Sequence, residues 1–161
     1  MFQEDYILRM VQQLAQAIAR ITGLNQRAEH AEALREADRA WGEVLGDIPP
    51  ELAGSVDSRT LAGMLRQPAR IRLASQILSE QASALAGQGA AAGATRRARR
   101  ALELRLEARA ADTAASDRPT RSQRGAPGDP DGDAAVVRAL LALAPADALA
   151  PRYRTLVDEI A

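Results

Sequence analysis

A chain of 161 residues with no net charge, no cysteine, no lysine and four aromatic side chains (Phe2, Tyr6, Trp41 and Tyr153) excludes disulfides, thiolate metal sites and cysteine nucleophiles. Its length suffices for one core burying roughly two-thirds of the unfolded surface, and an interior built from alanine and leucine rather than large rings selects helix over strand, so an all-α fold is expected. The charge is uneven: residues 1–56 hold 5 arginines against 9 carboxylates and residues 57–115 hold 10 against 5, so an acidic front and a basic middle can attract each other within or between molecules.

Glu4 and Asp5 stand where a secretory leader would carry positive charge, and no apolar run approaches the roughly 18 residues that span a bilayer. A cytoplasmic protein with no membrane partner is expected. The first helix is predicted from Glu4 to Gly23, because Tyr6, Ile7, Met10, Val11, Leu14, Ala17, Ile18 and Ile21 recur at helical spacing before a glycine stop. A second runs from about Asn25 or Gln26 to Leu45, with Ala33, Leu34, Ala37, Ala40, Trp41, Val44 and Leu45 on one stripe, and Gly46, Pro49 and Pro50 close it. The link between them is short, which makes them antiparallel neighbours.

Asp57 is a cap for a short helix through Leu61, Met64 and Leu65, and Pro68 starts the next, which carries Ile71, Ala74, Ile77, Leu78, Ala82 and Leu85 and stops at Gly87 to Gly89. A long helix from Ala91 to Ala114 follows directly. Ser116 to Gly132 is rich in Pro, Gly, Ser, Arg and Asp with no apolar side chain larger than alanine, and is expected to be a flexible linker. Asp133 then caps a helix through Val136, Val137, Leu140, Leu141 and Leu143, and Leu149 to Ile160 forms the last. The stripe Leu149, Tyr153, Leu156, Val157 and Ile160 is expected to be exposed and to seek a partner or a second copy. The reading is thus of six to seven helices: a helical domain over 1–115, a linker over 116–132, and a C-terminal helical pair over 133–161 packing on the domain.

The two long hairpins overlay at a constant offset: Ala33 falls on Ala94, Ala37 on Ala98, Ala40 on Ala101, Trp41 on Leu102, Ile21 on Ala82 and Leu24 on Leu85. With Leu78, Gly89, Ala94 and Ala101 this resembles the tetratricopeptide repeat, although Leu45 and Leu106 stand at the places of its closing proline. The opening Met1-Phe2-x-x-Asp5-Tyr6-x-Leu8-Arg9-x-Val11-x-x-Leu14 is similar to the start of an uncharacterised bacterial family of small tetratricopeptide-like helical proteins. The resemblance implies antiparallel helical hairpins and assigns no activity. It also implies a concave face lined by the first helix of each pair, with Ala15, Ile18 and Thr22 in one copy and Gln76, Ser79 and Ser83 in the other. Ile18, Thr22, Gln76, Ser79 and Ser83 are therefore candidates for holding a peptide or helix of a partner.

The sharpest chemical feature is the run Arg96, Arg97, Arg99, Arg100, Arg105 and Arg109. Guanidinium groups on one helix suit an anionic partner or phosphates, whereas an alternative reading makes them a solvated face with Arg99 and Glu103 paired locally. No stacking aromatics accompany the run, which argues against nucleic acid. Asp129, Asp131 and Asp133 begin with calcium-loop spacing, but Ala134 and Leu140 occupy the places of the required glycine and glutamate. His30 with Glu29 and Glu32 completes no acid–base constellation, and no nucleophile elbow or glycine-rich phosphate loop is present. The expectation is a non-catalytic adaptor or scaffold that binds a protein partner or itself, with no cofactor, metal or small-molecule substrate; the alternative is an anion or nucleic-acid binder using Arg96, Arg97, Arg99 and Arg100.

Overall fold

Prolines and capping residues set where the helices begin. In the computed structural model, which describes residues 2–116 and 130–160, the fold is all-α: α1 (Phe2–Gln26), α2 (His30–Leu45), α3 (Pro50–Ser55), α4 (Ser58–Leu65), α5 (Pro68–Gly87), α6 (Ala91–Ser116), α7 (Pro130–Leu143) and α8 (Pro151–Asp158), with a 3-10 turn at Ala146–Ala148. Among the described residues there are eight α-helices and no strand, and no helix is long and apolar enough to cross a membrane. Helices α3, α5 and α8 each start on a proline, whose missing N–H is one that a first turn leaves unbonded in any case. The Asp57 carboxylate accepts from the Thr60 N–H at 2.8 Å to start α4, and those backbone bonds hold its pKa below the ordinary value.

Three-residue links join α1 to α2 and α5 to α6, so each pair doubles back. Helix α5 lies at the centre, packed against α1, α2 and most extensively α6, while α4, α7 and α8 rest on α6. Centrality explains why Leu73, Ser75, Gln81 and Ala84 of α5 are buried in addition to the predicted stripe. The approach of α5 to α6 is close: the Ser75 hydroxyl donates to the Ala101 carbonyl of the neighbouring helix at 2.6 Å, and Ala94, Ala98, Ala101 and Leu102 are all buried along that seam.

Several boundaries differ from expectation. Gly23 does not end α1; the helix continues to Gln26, and Ala28 takes the left-handed conformation (φ 60°) that reverses the chain. Thr22 and Asn25 on that last turn bind Glu80 of α5, and this tertiary anchorage outweighs the roughly 1 kcal/mol that a helical glycine costs. The Pro49-Pro50 break is followed at once by α3, a helix too short to show periodicity. Asp133 is not a cap but lies inside α7, which starts at Pro130, and the predicted linker lies outside the described residues over 117–129. The C-terminal stripe is not an open surface: Leu149, Tyr153 and Val157 are buried, and Leu156 and Ile160 are half-buried. Arg152 of α8 donates through Nε and Nη2 to the two carboxylate oxygens of Glu107 on α6, each at 3.0 Å, which fixes that docking by bidentate geometry.

Candidate functional site

The alanines of α6 face α5, so the arginines between them must face elsewhere. Turning by about 100° per residue, the run does not stay on one face. Arg96, Arg97 and Arg99 are exposed, Arg105 is buried, and Arg109 lies in a separate 300 Å³ hollow between α6 and α8 with Leu156 and Glu159. Arg100 turns inward and donates to the carbonyls of Val56 (2.7 Å) and Ala53 (2.6 Å), satisfying the C-terminal end of α3. Burial there pulls its guanidinium pKa below the ordinary value. Arg100 is thus a fastening between helices, and three of the four arginine candidates remain for binding.

Those three line a cleft of about 660 Å³. Helices α2 and α6 both pack on α5, which leaves Leu78, Gln81 and Leu85 of α5 as the floor, Asp38 and Trp41 of α2 as one wall, and Arg96, Arg97, Arg99 and Arg100 of α6 as the other; Pro50, Ala53 and Gly54 of α3 complete it. Arg96 and Arg97 form no ion pair with a described residue, and Arg99 is only loosely held by Glu103 at 3.9 Å. Trp41 is half-buried, offering a ring to a cation or an aliphatic chain. Gln81 is 2% exposed; its Nε2 donates to Asp38 Oδ1 at 2.8 Å, while Oε1 has no donor among the described residues. No serine, threonine or histidine lines the cleft, so it offers cations, an aromatic ring, leucine surface and a single carboxylate, Asp38, which Gln81 already engages.

The other candidate face joins α1 and α5, and much of its polarity is already committed. Thr22 Oγ1 lies 2.6 Å from Glu80 Oε1 and 2.9 Å from the Ile18 carbonyl, and Asn25 Nδ2 donates to Glu80 Oε2 at 2.8 Å and to the Glu80 carbonyl at 3.1 Å. With Nδ2 so engaged, Asn25 offers its Oδ1 to His30 Nδ1 at 3.1 Å, which places a proton on that ring nitrogen. The imidazole lies against Gly87, where an added Cβ would overlap Nε2. This clamp ties α1, α2 and α5 together; the clue in the sequence was the polar pair Thr22 and Asn25 one turn apart with His30 just beyond, but Glu80, the common partner of Thr22 and Asn25, is more than 50 residues away. Ile18 is half-buried against the core, Ser79 is half-buried, and Gln76 and Ser83 are exposed; none of them lines the arginine cleft.

No protein-family model matches the chain, and no curated protein and no solved structure matches it either.

Proposed function

We propose that this protein is a non-catalytic helical adaptor that holds an acidic segment of a protein partner in the cleft between α2 and α6. The observation that carries the reading is the convergence of Arg96, Arg97 and Arg99 with Trp41 and the half-buried Leu85: the cations attract carboxylates, and the ring and leucine take the aliphatic parts between them. A nucleic acid fits less well, since binding a strand uses several aromatic platforms for successive bases and the cleft offers one. The tetratricopeptide-like reading is supported by α5 packing on both members of the preceding hairpin. Within this reading the protein works in the cytoplasm, in keeping with a cysteine-free chain, and uses no cofactor.

Trp41 is the only tryptophan, so its emission reports the cleft directly. Titration with a hexaglutamate peptide at low salt is expected to give a saturable change in that emission, weakened about tenfold or more in R96E/R97E, a loss of about 1.4 kcal/mol. Salt weakens the binding because these charges are exposed. No change of emission on addition of the peptide, or equal affinity in the charge-reversed variant, refutes the reading.

A further inference from the structure

The apolar stripe of α1 outruns the helices that cover it. Along one face, exposure is 0% at Ile21 and Leu14, 8% at Met10 and then 63% at Tyr6. The cause is length: α1 has 25 residues and α2 has 16, and a three-residue turn sets their adjoining ends level, so α2 finishes beside residue 11 of α1. Helix α5 begins at the same level, because Glu80 lies opposite Thr22 and Asn25 and Pro68 is twelve residues earlier. The first two turns of α1 therefore stand largely clear of both neighbours, with only Ile7 resting on the core among their described side chains. They present Glu4, Asp5, Tyr6 and Leu8, all exposed, and Tyr6 and Leu8 are two of the three large apolar side chains most open to solvent among the described residues.

We infer that these two turns, from a second copy of the chain, occupy the arginine cleft, with Glu4 and Asp5 against Arg96, Arg97 and Arg99 and with Leu8, one turn on from Glu4, against Trp41 and Leu85. The chemistry matches member by member: carboxylates meet guanidinium groups, and an aliphatic side chain meets the ring and leucine. The lengths match too, since eight helical residues span about 12 Å, as does the stretch of α6 from Gly93 to Arg100. The donor is another molecule because α1 is one continuous helix packed on the core from Ile7 onward, so its first turns cannot fold back onto the α2–α6 side of their own chain. Such contact is head-to-tail and builds rings or open chains rather than a closed two-fold dimer.

The inference rests on the cleft being a site for acidic segments, and the test separates the two. Sedimentation of the full chain over a concentration series is expected to show growing assemblies at low salt that dissociate at high salt. E4R/D5R and R96E/R97E, all exposed positions, are each expected to be monomeric and as helical as wild type. Mixed in equal amounts they are expected to assemble again, because the intact end meets the intact cleft and the reversed end meets the reversed cleft with opposite charges. A wild-type chain that stays monomeric up to millimolar concentration overturns the inference, as does continued assembly of R96E/R97E, which would mean that the projecting ends pair with each other, or a mixture that fails to associate. If E4R/D5R still binds hexaglutamate through Trp41 when assembly has failed, the adaptor reading survives while this occupant is excluded.

Discussion

Ala101→Leu probes the close packing of α5 on α6. Ala101 is fully buried, and its carbonyl receives the Ser75 hydroxyl from α5 at 2.6 Å, a reach that only a one-carbon side chain on each helix permits. Leucine brings three further carbons into a filled seam; overpacking of this kind costs about 1–3 kcal/mol. Separation of the helices also stretches the Ser75 bond, whose net worth is about 0.5–1.5 kcal/mol. The sum centres near 3 kcal/mol, which for a domain of this size lowers Tm by roughly 6–12 °C. The assay is urea and thermal unfolding followed by circular dichroism, with Ala92→Leu as control, since Ala92 is exposed on the same helix and its change should stay within about 0.5 kcal/mol. An Ala101→Leu protein as stable as the control would refute the close approach of α5 to α6.

Other outcomes follow from the same contacts. Glu80→Ala removes the carboxylate that holds Thr22 and Asn25, but each keeps a backbone acceptor (the carbonyls of Ile18 and Glu80), so the expected loss is about 1–2 kcal/mol in urea unfolding rather than the larger cost of stranded donors. Gly87→Ala drives a methyl into the His30 ring and is expected to cost about 1–2 kcal/mol; combined with His30→Ala the cost should fall well short of the sum, a coupling measured by a double-mutant cycle. Burial, with the Glu107 carboxylate beside it, pushes the Tyr153 phenol above its ordinary value near 10. Its contribution is therefore whole below about pH 10 and is lost at higher pH, where the unfolded chain ionises and the folded one does not. Tyr153→Phe should remove part of the fall in stability above about pH 10, and an unchanged alkaline slope there would contradict the assignment.

Where a helix begins or ends by local chemistry, the residues announced it: Gly46, Asp57, Pro68 and Gly87 all lie at the boundaries expected of them. Signals that depend on distant chain were illegible. Gly23 reads as a stop until Glu80 is known to anchor the turn beyond it, and α3 is too short for a hydrophobic period to emerge from its six residues. The C-terminal stripe looked unpartnered because nothing local indicates that α6 covers it. The arginine run was visible as a charge cluster, but its division was not: Arg96, Arg97 and Arg99 reach the cleft while Arg100 fastens α3, and only the placement of the α3 carbonyls tells them apart. Trp41, read as a core residue, is half core and half cleft wall, because the offset between α2 and α6 leaves one side of the indole uncovered.

The most direct measurement of the cleft's role is side-chain NMR of the full chain during addition of hexaglutamate. The indole N–H of Trp41 and the Nε–H groups of Arg96, Arg97 and Arg99 are expected to shift together along one saturation curve, while the backbone amides of Gln76 and Ser83 stay in place. Shifts centred on Gln76, Ser79 and Ser83 with Trp41 unmoved would place binding on the α1–α5 face and contradict the account.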